Sequence, residues 1–194
     1  MRPDAGNPNA MTTGLAKLHY DPKWLEYGLI DLPFVNEQVK RYESGDDDNI
    51  EHYRYAAFRK LLEGAGSIDD LTLDRYVELA ELDEDQEMAE AALGLLLRHN
   101  GLTEQQLNRI KTRQIFATRP LQNIIEQVQL LHELDSPTVT DAVFDRCVSI
   151  GKSEVQRKLL SKSKISPEQL AVLTDKGANR AIRNLARNQL RRHR

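Results

Sequence analysis

A nine-residue pattern occurs four times in this chain, and its recurrence limits the fold more than any other property. It runs from Leu71 to Leu79 (LTLDRYVEL), Leu102 to Ile110 (LTEQQLNRI), Val139 to Cys147 (VTDAVFDRC) and Ile165 to Leu173 (ISPEQLAVL). Each copy has an apolar residue, then Thr or Ser, then apolar residues at +5 and +8. Successive starts lie 31, 37 and 26 residues apart. A period in that range predicts helical supersecondary units that stack, because one such unit cannot bury its apolar face alone.

The rest of the chain agrees with a helical reading. No run of alternating Val, Ile or Thr is long enough for a strand, and ten Gly and seven Pro in 194 residues are few for a sandwich with many tight turns. The apolar run Leu93 to Leu97, interrupted by Gly94, is far too short to span a bilayer. Residues 1–6 lack the apolar core of a secretory signal. A single cysteine excludes an intrachain disulfide framework and a multi-cysteine metal centre, so a reducing cytoplasm is the expected location.

Residues 1–10 are expected to be a disordered leader, with Met11 as an alternative start. Residues 11–66 read as an N-terminal helical cap, and 67–194 as repeats continuous with it. In the cap, Asp21-Pro22 predicts a helix start, with Trp24 to Leu29 forming a short helix. Pro33 opens a second helix with Phe34, Val35, Val39 and Tyr42 as its apolar stripe. Ile50, Tyr53, Ala57, Leu61 and Leu62 give a third, ended by Gly64 and Gly66. In the first repeat Thr72 is the expected N-cap. Second amphipathic segments follow the breaks at 88–98, 121–134, 155–162 and 178–193. The long third interval implies an inserted turn or a longer helix near Phe116 to Pro120.

The last units, Ile165 to Leu173 and Ala178 to Asn188, resemble the HEAT-like and leucine-rich-repeat-variant α-solenoids, and the resemblance covers about residues 68–194. It implies an all-α, right-handed solenoid of stacked helical hairpins, with ten or eleven helices in all, that binds protein or nucleic acid. Some variant-repeat proteins carry a cysteine-ligated cluster before their repeats. This chain has only Cys147, inside a repeat, so that feature is not carried over.

Candidate catalytic groups reduce to structural roles. Cys147 falls in the slot of Leu79, Ile110 and Leu173 and should face inward as a small hydrophobe. The histidines His19, His52, His99, His132 and His193 form no HExxH pair, and no two are three to five residues apart. Asp46-Asp47-Asp48 lacks the alternation, central Gly and distal Glu of a calcium loop, so it reads as a turn before the Asn49 helix. No phosphate-binding glycine loop or nucleophile elbow is present. The expectation is therefore no enzyme, no metal and no cofactor. The early aromatics, among them Tyr20, Trp24, Tyr53 and Phe58, are expected to seal the first end of the stack.

Charge is divided unevenly. From Lys152 to Arg194 there are twelve Lys and Arg against three Asp and Glu, while the whole chain carries −3. Between Asp69 and Glu90 there are ten acidic residues and one basic one, Arg75, which reads as a solvated acidic face. Arg180, Arg183, Arg187, Arg191 and Arg194 follow three- and four-residue steps and form one stripe, with Lys158 and Lys162 one unit earlier. Two functions follow. The first is a soluble, bacterial-type adaptor that binds another protein on its concave face, its acidic middle meeting a basic partner or its basic end an acidic one. The alternative is a nucleic-acid-binding solenoid that uses the arginine stripe on phosphates. No aromatic residue interleaves the stripe, which disfavours a single-strand stacking platform.

Overall fold

The computed structural model describes residues 8–99, 101–162 and 165–192. Among them are twelve α-helices, a short 3-10 turn and no strand. The helices are α1 (Pro8–Lys17), α2 (Lys23–Glu26), α3 (Leu32–Glu43), α4 (Ile50–Leu62), α5 (Asp70–Leu82), α6 (Gln86–Leu97), α7 (Glu104–Ile110), α8 (Arg119–Glu133), α9 (Asp141–Ile150), α10 (Ser153–Leu160), α11 (Pro167–Lys176) and α12 (Arg180–Arg192). Residues 1–7 of the expected leader lie outside the described residues, and α1 begins within the stretch read as that leader. The long third interval holds the 3-10 turn Gln114–Ala117 followed by α8, the longest helix described, at 15 residues.

The phase of each repeat is set by the cap of its first helix. Thr103 caps α7, Thr140 caps α9 and Ser166 caps α11, each accepting a hydrogen bond from the amide three residues on. In α7 and α11 a glutamine at the third helical position reaches back to the cap amide, completing a capping box. The first repeat departs from the expected frame. Asp69, not Thr72, caps α5, and its carboxylate accepts both the Thr72 amide at 3.0 Å and the Thr72 hydroxyl at 2.6 Å. Those two bonds, the hydroxyl first, hold the Asp69 carboxyl below the usual carboxylate range. An aspartate is as good a cap as a threonine, so the frame slides back by three residues. The pattern then starts at Ile68 and its first interval becomes 34. Leu71 is left 57% exposed, whereas Leu73 and Tyr76, at +5 and +8 from Ile68, are buried; Tyr76 and Leu79, which the Leu71 frame placed inward, are both buried as expected. The counterparts of Leu73 and Tyr76, namely Leu107 and Ile110, Phe144 and Cys147, and Leu170 and Leu173, are also buried.

The chain forms two compact units that divide between Leu121 and Gln122, in the first turn of α8.

In the first unit α1 packs on α3, α4 on α6, and α5 on α6. A string of rings links its early helices. Tyr20 meets Trp24 at 5.6 Å, Trp24 meets Phe58 at 4.7 Å, and Phe58 meets Tyr76 at 4.8 Å, between centroids. Such edge and tilted contacts add to the area these side chains bury. The Tyr76 hydroxyl donates to the Ala92 carbonyl, fastening α5 to α6. Arg54 of α4 and Asp83 in the α5–α6 link form a buried, two-pronged ion pair at 2.9 and 3.1 Å. A third guanidinium bond goes to the Leu18 carbonyl, so the buried charge is satisfied on several sides.

In the second unit α9 pairs with α10 and α11 with α12, while α9 also touches α11 and α10 touches α12. Two hairpins therefore lie side by side, first helix on first and second on second. One polar device recurs between successive first helices in both units. The Gln106 amide donates to the Asp70 carboxylate at 2.8 Å, and the Gln169 amide donates to the Asp141 carboxylate at 3.0 Å. Each glutamine thus completes its own capping box and holds the first residue of the preceding first helix.

The corrected frame predicts different costs within one turn of α5. Leu73→Ala, Leu107→Ala and Leu173→Ala should each destabilise the protein by about 2–5 kcal/mol in urea unfolding. Leu71→Ala should change stability by less than about 0.5 kcal/mol. Equal losses at Leu71 and Leu73 would contradict the frame.

Candidate interaction surface

α12 is positioned by polar contacts from three directions. The Asn179 side chain accepts the Ile182 amide at 3.0 Å and starts the helix. Gly177 sits where an added Cβ would lie 2.7 Å from the Leu173 carbonyl oxygen, so only glycine permits this close turn. Gln156, fully buried on α10, donates to the Cys147 carbonyl at 3.1 Å and accepts the Ala178 amide at 2.8 Å. Further along, the Gln189 amide donates to the Leu160 carbonyl at 2.8 Å. Ile182 and Ala186 are buried. The helix cannot roll without breaking these bonds, so its outer face is fixed.

That face carries Arg180, Asn184, Arg187, Asn188 and Arg191, all exposed. Arg187 donates to Asn184 at 3.1 Å. Among the described residues no carboxylate lies within ion-pair distance of Arg180, Arg187 or Arg191. The other residues of the expected stripe differ. Arg183 is half-buried and donates to the Gly177 carbonyl at 2.8 Å, bracing the α11–α12 turn. Lys158 donates to the Leu131 carbonyl at 2.8 Å and pairs with Asp135 at 2.7 Å, which holds the Asp135 carboxyl below its ordinary range. Lys162 reaches the Ser136 carbonyl at 3.4 Å. Both lysines therefore engage the C-terminal end of α8 and its following turn, where cations suit the helix dipole. Arg194 and His193 lie outside the described residues. Arg192, which the spacing did not select, is exposed at the end of α12.

The acidic stretch is largely exposed, as its composition suggests, but most of its carboxylates are engaged within the chain. Asp69 and Asp85 are helix caps. Asp70 accepts Gln106, Asp74 pairs with Arg109 at 3.2 Å, and Glu81 pairs with Arg113. Glu78 binds Lys23 and the Tyr27 hydroxyl, which together hold its carboxyl low. Asp83 is buried against Arg54, and Glu84 contacts His19. Eight of the ten carboxylates counted between Asp69 and Glu90 have a partner inside the chain. Apart from the two caps, their pairing residues lie far away in sequence, beyond what a local charge count detects.

The remaining candidates resolve simply. His52 bonds Asp47 at 2.7 Å, which raises the imidazole's pKa. The Asn49 amide, followed by His52, lowers that of Asp47. Asp46 pairs with Arg41 at 2.6 Å, so the aspartate run is an internally bonded turn. The His99 ring accepts the Gly101 amide at 3.1 Å. The His132 ring nitrogen Nδ1 is buried with no hydrogen-bond partner among the described residues. No group of three or more His, Cys, Asp or Glu among the described residues is placed to hold a metal ion. No described helix is long and apolar enough to cross a membrane. No family model, curated protein or solved structure matches the chain.

Cys147 is fully buried on α9, and removal from water pushes its thiol up to about 11. The thiolate is the reactive species. An aromatic disulfide reagent at pH 8 should therefore leave the native protein unlabelled and modify one thiol per chain in denaturing urea. Rapid labelling of the native state would place Cys147 at the surface instead.

Proposed function

We propose that this protein is a non-enzymatic scaffold, a right-handed α-solenoid of the HEAT-like kind that serves as an interaction adaptor. Its working surface is the outer face of α12, and its partner is acidic. The observation that carries this reading is the contrast in charge use. Eight of the ten carboxylates between Asp69 and Glu90 are engaged within the chain, whereas Arg180, Arg187 and Arg191 stand exposed without a counter-ion among the described residues. Of the two surfaces offered for a partner, the basic one is favoured, because a charge already paired has less to offer a second partner. The stacked hairpins and the repeated glutamine–aspartate tie support the solenoid, since repeats that contact only their neighbours extend a surface rather than enclose a cavity.

The test is retention on a polyanion. The chain has a formal charge of −3 and an isoelectric point near 6.0, so bulk charge alone would keep it off an immobilised polyanion at pH 7.5. Wild-type protein should bind heparin resin at low salt, and Arg187→Glu/Arg191→Glu should flow through. Flow-through of the wild type, or retention on polylysine instead, would contradict the reading.

A further inference from the structure

We propose that the α12 face binds the sugar–phosphate backbone of a nucleic-acid duplex, a partner class that rests on the reading of α12 as the working surface. The first argument is electrostatic, and its ground is the unpaired charge. Arg180, Arg187 and Arg191 are exposed on one face of α12, and among the described residues none has a carboxylate within ion-pair distance. A row of uncompensated cations suits a polyanion whose charges are regularly spaced.

The second argument is chemical. The outer face offers only guanidinium and carboxamide groups between Arg180 and Arg191, and no carboxylate. Protein interfaces place aromatic or large apolar anchors at their centre. Here the sole large exposed apolar residue on α12 is Leu185, on the flank and 39% exposed. Arginine and asparagine are the side chains that contact phosphate oxygens along a duplex. Absence of an aromatic on α12 removes the platform on which unpaired bases stack.

The third argument is geometric. From Arg180 to Arg191 the helix rises about 16 Å, at 1.5 Å per residue. One strand of a duplex presents a phosphate about every 3.4 Å along the axis, so this row can reach three or four of them. Asn184 and Asn188 fill the space between the arginines and supply neutral donors. Arg183 is occupied at the Gly177 carbonyl and takes no part.

Fluorescence anisotropy with labelled 20-base-pair DNA and RNA duplexes of unrelated sequence tests this. The apparent affinity should fall with a log–log salt slope of about −3 to −4, roughly a hundredfold between 50 and 200 mM salt. Arg180→Gln/Arg187→Gln/Arg191→Gln should reduce the slope by about 3, while Lys152→Gln/Lys176→Gln, off this face, should leave it unchanged. Asn184→Asp/Asn188→Asp, nearly isosteric and so safe for folding, should also abolish binding. Retention on heparin without any duplex signal at 50 mM salt would overturn the duplex assignment and leave the scaffold reading standing. Equal displacement by polyglutamate would overturn it in favour of an acidic protein. Failure on heparin as well would remove both.

Discussion

The hydrogen bond from a cap side chain to the third amide of its helix is the constraint from which the rest of this structure follows. It fixes where the helix starts and therefore which residues, at +5 and +8 from the preceding apolar residue, turn inward. Asp69, Thr103, Thr140 and Ser166 each do this for one first helix. In two of the four, the same turn carries a glutamine whose amide continues to the preceding first helix. Local phase and neighbour contact are thus set by two side chains of one helical turn. The third motif has Val143 at the equivalent position, which has no amide to offer, and the chain divides into two compact units before it.

Much of the helical organisation could be read from residue order alone. The Thr/Ser frame located α7, α9 and α11, and the long interval implied an inserted turn or a longer helix, where the structure has both the 3-10 turn and α8. The first frame was misread because two acceptors compete within four residues. Asp69 and Thr72 are both good caps, and the Asp69 cap bond together with the exposure of Leu71 distinguishes them. α1 was missed because Pro, Asn and Gly dominate its approach. The Arg54–Asp83 pair left no local signal either. Its members are 29 residues apart, and arginine in a helix normally signals solvent.

The surface was legible in part. Spacing identified Arg180, Arg187 and Arg191 as a row, and the structure leaves them exposed on one face. Spacing could not separate them from Arg183, whose head turns to the Gly177 carbonyl, or from Lys158 and Lys162, which engage the end of α8. A side chain of that length reaches a partner that periodicity does not encode. The acidic stretch shows the same limit in reverse. Its density suggested a free face, yet its carboxylates serve as caps, cross-helix ties and one buried pair. Composition counts charges; only the fold shows which of them remain available.

Within each unit, successive first helices are joined to each other rather than merely tethered by the chain. A double-mutant cycle on Gln106→Ala and Asp70→Ala, read by urea unfolding, measures that joint directly. The buried glutamine amide donates to the carboxylate of Asp70, whose side chain is largely exposed, so a coupling energy of about 0.5–1.5 kcal/mol is expected. Single losses that simply add, within about 0.3 kcal/mol, would show that the two helices do not hold each other and would contradict the account.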